Sequence, residues 1–387
     1  MSEFDDIRPY NDSEVPAVIA RLIASSEFID LLLSRRAPMM SKICPWLLRP
    51  LLRLVLSKAA KKMHTVADLQ RYLTVSLKGL VDKTTDGFSF SGIEKLDPKK
   101  SYLFLSNHRD IAMDPAMVNL ALIESGMDTL RIAIGDNLLS KPFASDLMRV
   151  NRSFIVKRDI SGRREKLTEL KKLSGYIRHS IAEDGVSIWI AQREGRAKDG
   201  QDRTETALLK MLALSKDKDQ SFAQATGQLA IVPVSISYEY DPCDVDKGRE
   251  LFAKQSGQDY IKQEFEDLDT IQKGLVGYKG RVHVAFGDVL ADESSDQLES
   301  ADNLATAIDQ QVYSQYKLFP SNIMAYQLLG NTEGLEQVKA LWPDCDWFDV
   351  EASFKSRLNA APRDYRSIIT ESYAAPVLNY LKDTQGY

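Results

Sequence analysis

A chain of 387 residues with a net charge of −5 is longer than one average domain and lacks the basic balance of a dedicated nucleic-acid binder. Its 44% hydrophobic and 27% charged residues are ordinary for a soluble protein. No stretch approaches the roughly 18 uninterrupted apolar residues of a bilayer-crossing helix, and the acidic opening MSEFDDIRPYND lacks the order of a secretory signal, so a cytoplasmic protein is expected, touching a membrane only from its surface.

Residues 1–34 carry seven acids against two bases, and VPAVIARLIASSEFIDLLL places apolar residues at helical spacing, predicting one or two helices. From Arg35 to Met63 the character reverses: RRAPMMSKICPWLLRPLLRLVLSKAAKKM has eight bases and no acid. Pro50 suits the first turn of a helix that sets Arg53, Ser57 and Lys61 on one face, with Leu51, Leu52, Leu54, Val55 and Leu56 over the rest. Two readings follow. The segment lies on an anionic membrane, each base contributing about 1 kcal/mol near the surface, or it is a core helix whose long basic side chains reach outward.

Between residues 85 and 290 short β-rich runs alternate with helical ones: SYLFLS (101–106), LRIAIG (130–135), SFIVK (153–157), VSIWIA (186–191), IVPVSISY (231–238) and VHVAF (282–286). This alternation predicts an α/β domain with a mainly parallel sheet flanked by helices. Pro233 points to a sheet edge or a bend for its strand. After Ala291 amphipathic helices take over. The expected organisation is a helical N-terminal region over 1–80 with its basic segment at 35–63, an α/β core over 81–290 and a helical C-terminal region over 291–387. Cys44, Cys243 and Cys345 have no paired spacing, so no zinc or dithiol site is expected.

In an open α/β sheet ligand groups gather at the C-terminal ends of strands, and three polar clusters fall there. SNHRDIAMDP (106–115) follows the strand YLFL and precedes a helical run. Its His108 can be oriented by a nearby carboxylate, with helix N-terminal amides behind it. The plainer reading is that Asn107 or Asp110 caps the helix and His108 is incidental. NRSFIVKRDISGRR puts Lys157 and Arg158 at a strand end, and the Arg158 guanidinium is suited to phosphate; Arg163 and Arg164 read as solvated. IWIAQREGRAKDGQDRT leaves its strand through Arg193, Glu194, Gly195 and Arg196, where the glycine lets backbone approach a ligand. Lys198, Asp199, Asp202 and Arg203 read as solvated loop charges. Val232, Pro233 and Val234 read as core residues or the lining of an apolar channel, and His283 as an outward residue of its strand.

A protein-kinase loop needs Asn where Pro115 stands, together with a Gly-rich loop and a DFG triplet, and all three are missing. A metal-dependent hydrolase would draw on His108, Asp110 and Asp114. Taken together and in order, the NH followed by an acid a turn later, the Phe154-Ile155-x-x-Arg158 strand, the Glu194-Gly195 element with an adjoining base and the Val232-Pro233-Val234 strand resemble the glycerol-phosphate and lysophosphatidate acyltransferase superfamily over about residues 85–290.

The resemblance implies transfer of a fatty acyl group from acyl-CoA or acyl carrier protein, a cosubstrate with no bound cofactor or metal, to a hydroxyl of glycerol 3-phosphate or a lysophospholipid in phospholipid biosynthesis. It implies His108 as general base, Phe154, Lys157, Arg158, Glu194, Gly195 and Arg196 around a phosphate-bearing acceptor, and Val232, Pro233 and Val234 along an acyl channel. Such an enzyme would sit at the inner face of the cell membrane through residues 35–63. Two departures stand out. Met113 occupies the position where that family places its aspartate, leaving Asp114 and Asp110 as candidates to orient His108, with Asp114 preferred. Arg196 follows Gly195 without the small residue that normally separates them. A lipid-binding relative that has lost turnover is the further alternative.

Overall fold

The computed structural model describes residues 3–36, 44–139, 141–158, 160–262 and 266–385. In chain order the elements used below are α1 (Val15–Ala24), α2 (Ser26–Arg36), α3 (Pro45–Ala60), α4 (Val66–Thr84), β1 (Gly87–Ser91), β2 (Leu103–Ser106), α5 (Met113–Glu124), β3 (Arg131–Gly135), α6 (Pro142–Val150), β4 (Ser153–Val156) and α7 (Arg163–Ala182). They continue as β5 (Ile188–Ala191), β6 (Ile231–Tyr238), α8 (Asp244–Gln255), α9 (Glu266–Val276), β7 (Arg281–Phe286), α10 (Ala301–Gln315), α11 (Pro320–Leu328), α12 (Trp347–Ala360) and α13 (Arg366–Gln385). Contacts divide the chain into two compact units, residues 1–77 with 130–176 and residues 78–129 with 177–387.

In the second unit five strands run in the order β1-β7-β6-β2-β5. Each pair is parallel except β6 with β7. Every residue of β2 and β6 is buried, as expected of strands covered on both faces, whose sequences read as continuous apolar runs. Pro233 therefore lies in an interior strand and not at an edge. The reason is local: its carbonyl accepts from Gly287 N on the β7 side at 2.8 Å, so its missing N–H faces the same side and forgoes only the reciprocal bond to Gly287, just past the end of β7. β1 carries the alternation GFSFS, too short an apolar pattern to register among the predicted strands. His283 is buried rather than outward, with ring nitrogens 2.8 Å from Ser89 Oγ and 3.1 Å from Ser91 Oγ. The helices after Ala291 form their own core around Ile323, Phe354, Tyr373 and Val377.

In the first unit β3 and β4 pair in parallel. Val15, Val18 and Leu22 of α1 pack with Phe143 and Val150 of α6 and with Val66 and Leu69 of α4. Of the basic segment, residues 37–43 lie outside the described residues. α3 starts at Pro45, which takes the first-turn position, and Pro50 lies inside the helix. The bond Pro50 forgoes is the one to the carbonyl of Trp46, on the exposed side.

α3 packs a narrow stripe, Leu48, Leu52 and Leu56, against Ile29, Leu32 and Leu33 of α2, and its last residues Ala59 and Ala60 against the cluster around α1. Arg49 forms a two-pronged pair with Asp30 at 2.7 and 2.8 Å, and Arg53 donates to the carbonyls of Ile23 and Ala24 at the end of α1. These bases tether the helix inward. Trp46, Leu47, Leu51, Leu54 and Val55 are left 53–74% exposed.

Candidate active site

β2 delivers the site and Asn107 holds it in place. Where the β2 backbone turns away, the Asn107 side chain takes over its pairing with β6: Oδ1 accepts from Ile236 N at 2.7 Å and Nδ2 donates to Ile236 O at 3.0 Å. The fully buried amide thus mimics one more peptide of the ladder, and His108 leaves the sheet from a fixed point.

His108 Nδ1 lies 2.8 Å from Asp114 Oδ2. Its ring meets the edge of Trp189 at 5.5 Å between centroids, and its carbonyl accepts from Ala197 N at 2.8 Å. Asp114, in the first turn of α5, is wholly buried. Its Oδ2 also accepts from Arg109 N at 2.6 Å and Asp110 N at 2.9 Å, and its Oδ1 from the Tyr238 hydroxyl at 2.8 Å.

Asp110 does a different job. Its Oδ1 accepts from Ala112 N at 2.9 Å and Met113 N at 2.8 Å, capping the start of α5. Its Oδ2 is buried without a hydrogen-bond partner, and burial, reinforced by the charge of Asp114, pushes its carboxyl up from the ordinary value. Gly274 of α9 makes room for it, since a Cβ there would lie 1.9 Å from Asp110 Oδ2. Capping and a functional histidine are therefore compatible, because different acids serve the two. Among the described residues no group of three or more His, Cys, Asp and Glu is placed to hold a metal ion.

The loop after β5 wraps the same point. Arg109, 11% exposed at its side chain, pairs with Asp202 at 2.5 Å and lies over the Tyr316 ring. Asp202, which reads in the sequence as a solvated loop charge, is buried and also accepts from Asn107 Nδ2 at 3.2 Å. Lys198 is likewise engaged, with Glu250 of α8. Lys247 of α8 donates to Arg109 O at 2.7 Å and pairs with Asp241. Gly200 sits with φ of 75° against α13, where a Cβ would come within 2.2 Å of Ser372 O.

Gly195 also has φ of 75° but open space around it, so the turn and not close packing calls for glycine there. Glu194 is exposed. Arg196 is half-buried and its Nη1, like Nε of Arg193, is enclosed without a hydrogen-bond partner. Val232, Pro233 and Val234 are buried in β6.

The remaining predicted residues belong to the first unit. Phe154 is buried against Tyr176. Lys157 is held by Asp6 at 2.8 Å and Glu169 at 3.0 Å. Arg158 is exposed at the end of β4, its backbone N–H directed at Asp136. Gly135 gives its guanidinium room, since a Cβ there would lie 2.5 Å from Arg158 Nε.

A buried carboxylate thus holds the inner nitrogen of a histidine at the C-terminal edge of the parallel strands β2 and β5. Residues 87–237 match the family model described as Acyltransferase. Over that stretch the chain is similar to the acyltransferase family. No curated protein matches it. The crystal structure of the 1-acyl-sn-glycerophosphate (LPA) acyltransferase PlsC from Thermotoga maritima is similar at 15% identity over 82% of this chain and 98% of that one, with a TM-score of 0.36.

Asp202, Lys247 and Tyr238 did not stand out in the sequence. Tyr238 ends an apolar strand, and the other two sit among ordinary surface-type charges.

Proposed function

We propose that the protein transfers a fatty acyl group from acyl-CoA or acyl carrier protein to a hydroxyl of glycerol 3-phosphate or a lysophospholipid. The observation that carries this reading is the 2.8 Å contact between His108 Nδ1 and a fully buried Asp114. With Nδ1 engaged, Nε2 is the nitrogen free to accept a proton. The acceptor oxygen attacks the thioester carbonyl carbon as its proton passes to Nε2. The tetrahedral oxyanion collapses, the C–S bond breaks, and the thiolate takes the proton back from the imidazolium.

The enclosed, unpartnered Nη1 of Arg196 supports a role for that residue at the acceptor's phosphate. Arg158 remains a candidate for the same role, and Lys157, already held by two acids, a weaker one. Val232, Pro233 and Val234 are proposed for the acyl chain. The metal-hydrolase reading has less support, because Asp110 and Asp114 direct oxygens at backbone amides. Incubation with labelled acyl-CoA and a panel of acceptors tests the proposal: free thiol should appear only when a phosphate-bearing acceptor is present. Acceptor binding without thiol release would mark a lipid-binding relative instead.

The same reading puts the protein on the inner face of the cell membrane. No helix among the described residues is long and apolar enough to cross a bilayer, but the outward face of α3 is apolar from Trp46 to Val55, with Lys58, Lys61 and Lys62 exposed beyond it. Burying a leucine fully is worth about 1.5–3 kcal/mol, and bases near anionic lipid add to that. Replacing Leu51 and Leu54 by Asp should therefore cut co-sedimentation with phosphatidylglycerol vesicles by more than about tenfold. Unchanged sedimentation would remove this helix from the membrane contact.

A further inference from the structure

Tyr238 closes β6 with its ring buried and its hydroxyl on Asp114 Oδ1 at 2.8 Å. It lies just past the end of the acyltransferase family match at residue 237. The other carboxylate oxygen serves His108 and two backbone amides. The phenol and the imidazole therefore meet different oxygens of the same acid, in the succession Tyr238, Asp114, His108.

We infer that Tyr238 is a positioning residue for acyl transfer: by donating to Asp114 it holds the carboxylate in line with the His108 ring and limits how strongly that carboxylate draws on the Nδ1 proton, and so it sets the basicity of Nε2. The inference rests on the general-base reading of His108. The physical reason is that a buried carboxylate shares its charge among its donors. Take one donor away from a buried carboxylate and more of the charge falls on the imidazole N–H, which stabilises imidazolium and moves the titration of His108 to higher pH.

The surroundings make the effect attributable. From the loop after β2 the facing groups are Arg109, paired with Asp202, and Asp110. From the loop after β5 they are Arg196 and Lys198, the latter paired with Glu250. From the segment after β6 and from α8 come Asp241 and Lys247, paired with each other. After α10 and on α13 stand Tyr316 and Tyr373, which line a cavity of about 30 Å³ with Tyr238, Arg109 and Asp241. Removing one neutral hydroxyl leaves each of these charges in place.

The test compares full-length wild type with Tyr238→Phe in two ways. The first is titration of the His108 ring proton by NMR without substrate, the resonance being assigned by its loss in His108→Ala. The expected result is a titration at higher pH in the variant. The second is the pH profile of kcat/KM. Activity should fall about threefold to tenfold on the acid side and recover where the imidazole is fully neutral. Equal loss at every pH, or an unmoved titration, overturns the inference. If Tyr238→Phe does not fold, difluorotyrosine placed at 238 keeps the volume and donates more strongly, so the titration must move to lower pH; no movement again overturns it. Should His108→Ala keep full transfer activity, the general-base reading falls, while the NMR comparison still decides whether the phenol governs the ring.

Discussion

Replacing His108 by Ala is expected to lower acyl transfer by about 10²–10⁴-fold while leaving the fold intact. A hydroxyl is a poor nucleophile near neutral pH, and the proposed gain comes from taking its proton as the bond to the thioester carbon forms. The ring is well placed to accept that proton, with Nδ1 held by Asp114 at 2.8 Å and its tilt limited from the side by Trp189. Its removal should be tolerated structurally, because Asp114 keeps two backbone amides and the Tyr238 hydroxyl, and the backbone stays pinned by Asn107 on β6 and by Ala197 N on the His108 carbonyl. Release of CoA thiol, measured with saturating acceptor at a melting temperature matched to wild type, decides the matter. Transfer within a factor of three of wild type would remove His108 from the chemistry.

Loss of Asp202 should be the largest single blow to stability at this site. The Arg109 guanidinium is buried beside the Asp202 carboxylate at 2.5 Å, with the Tyr316 ring across it. Asp202→Ala takes away the countercharge and leaves a buried cation unpaired, a change that typically costs about 3–5 kcal/mol. Chemical denaturation checks the magnitude, and a cost below about 1 kcal/mol would show that the pair is not needed. The physical account makes a second demand. If the unpaired charge is the cause, the double variant Arg109→Met with Asp202→Met, which buries no charge, should be less destabilised than Asp202→Ala alone.

The fold was legible wherever burial on both faces wrote an uninterrupted apolar run. IVPVSISY is β6 residue for residue, while β2 starts two positions later than the run SYLFLS, since Tyr102 pairs through its N–H to Ser187 Oγ rather than in the ladder. β1 was not legible because its two phenylalanines alternate with serines whose hydroxyls serve His283. α3 was misread in detail: its bases spread over the sequence as though to face solvent, but Arg49 and Arg53 find acid and carbonyl partners on α1 and α2. At the candidate site, residue types and order pointed to a histidine with an acid nearby, yet spacing left two acids open. Only the path of the loop through Ile111 and Ala112 gives the ring to Asp114 and the helix start to Asp110. The supporting groups were invisible for a simpler reason. Asp202, Tyr238 and Lys247 reach this loop across 93, 124 and 138 positions, and no local pattern marks such partners.

The packing of Gly200 against Ser372 carries a consequence for how the protein is made. The turn bearing Arg196 to Asp202 has no floor until α13 arrives, and Tyr373 must be in place to meet Asp241 N at 2.8 Å and Asp244 at 3.1 Å. A ribosome delivers those residues some 170 positions after the loop itself. A nascent chain therefore cannot pack this turn until α13 has emerged, however early the turn itself was made.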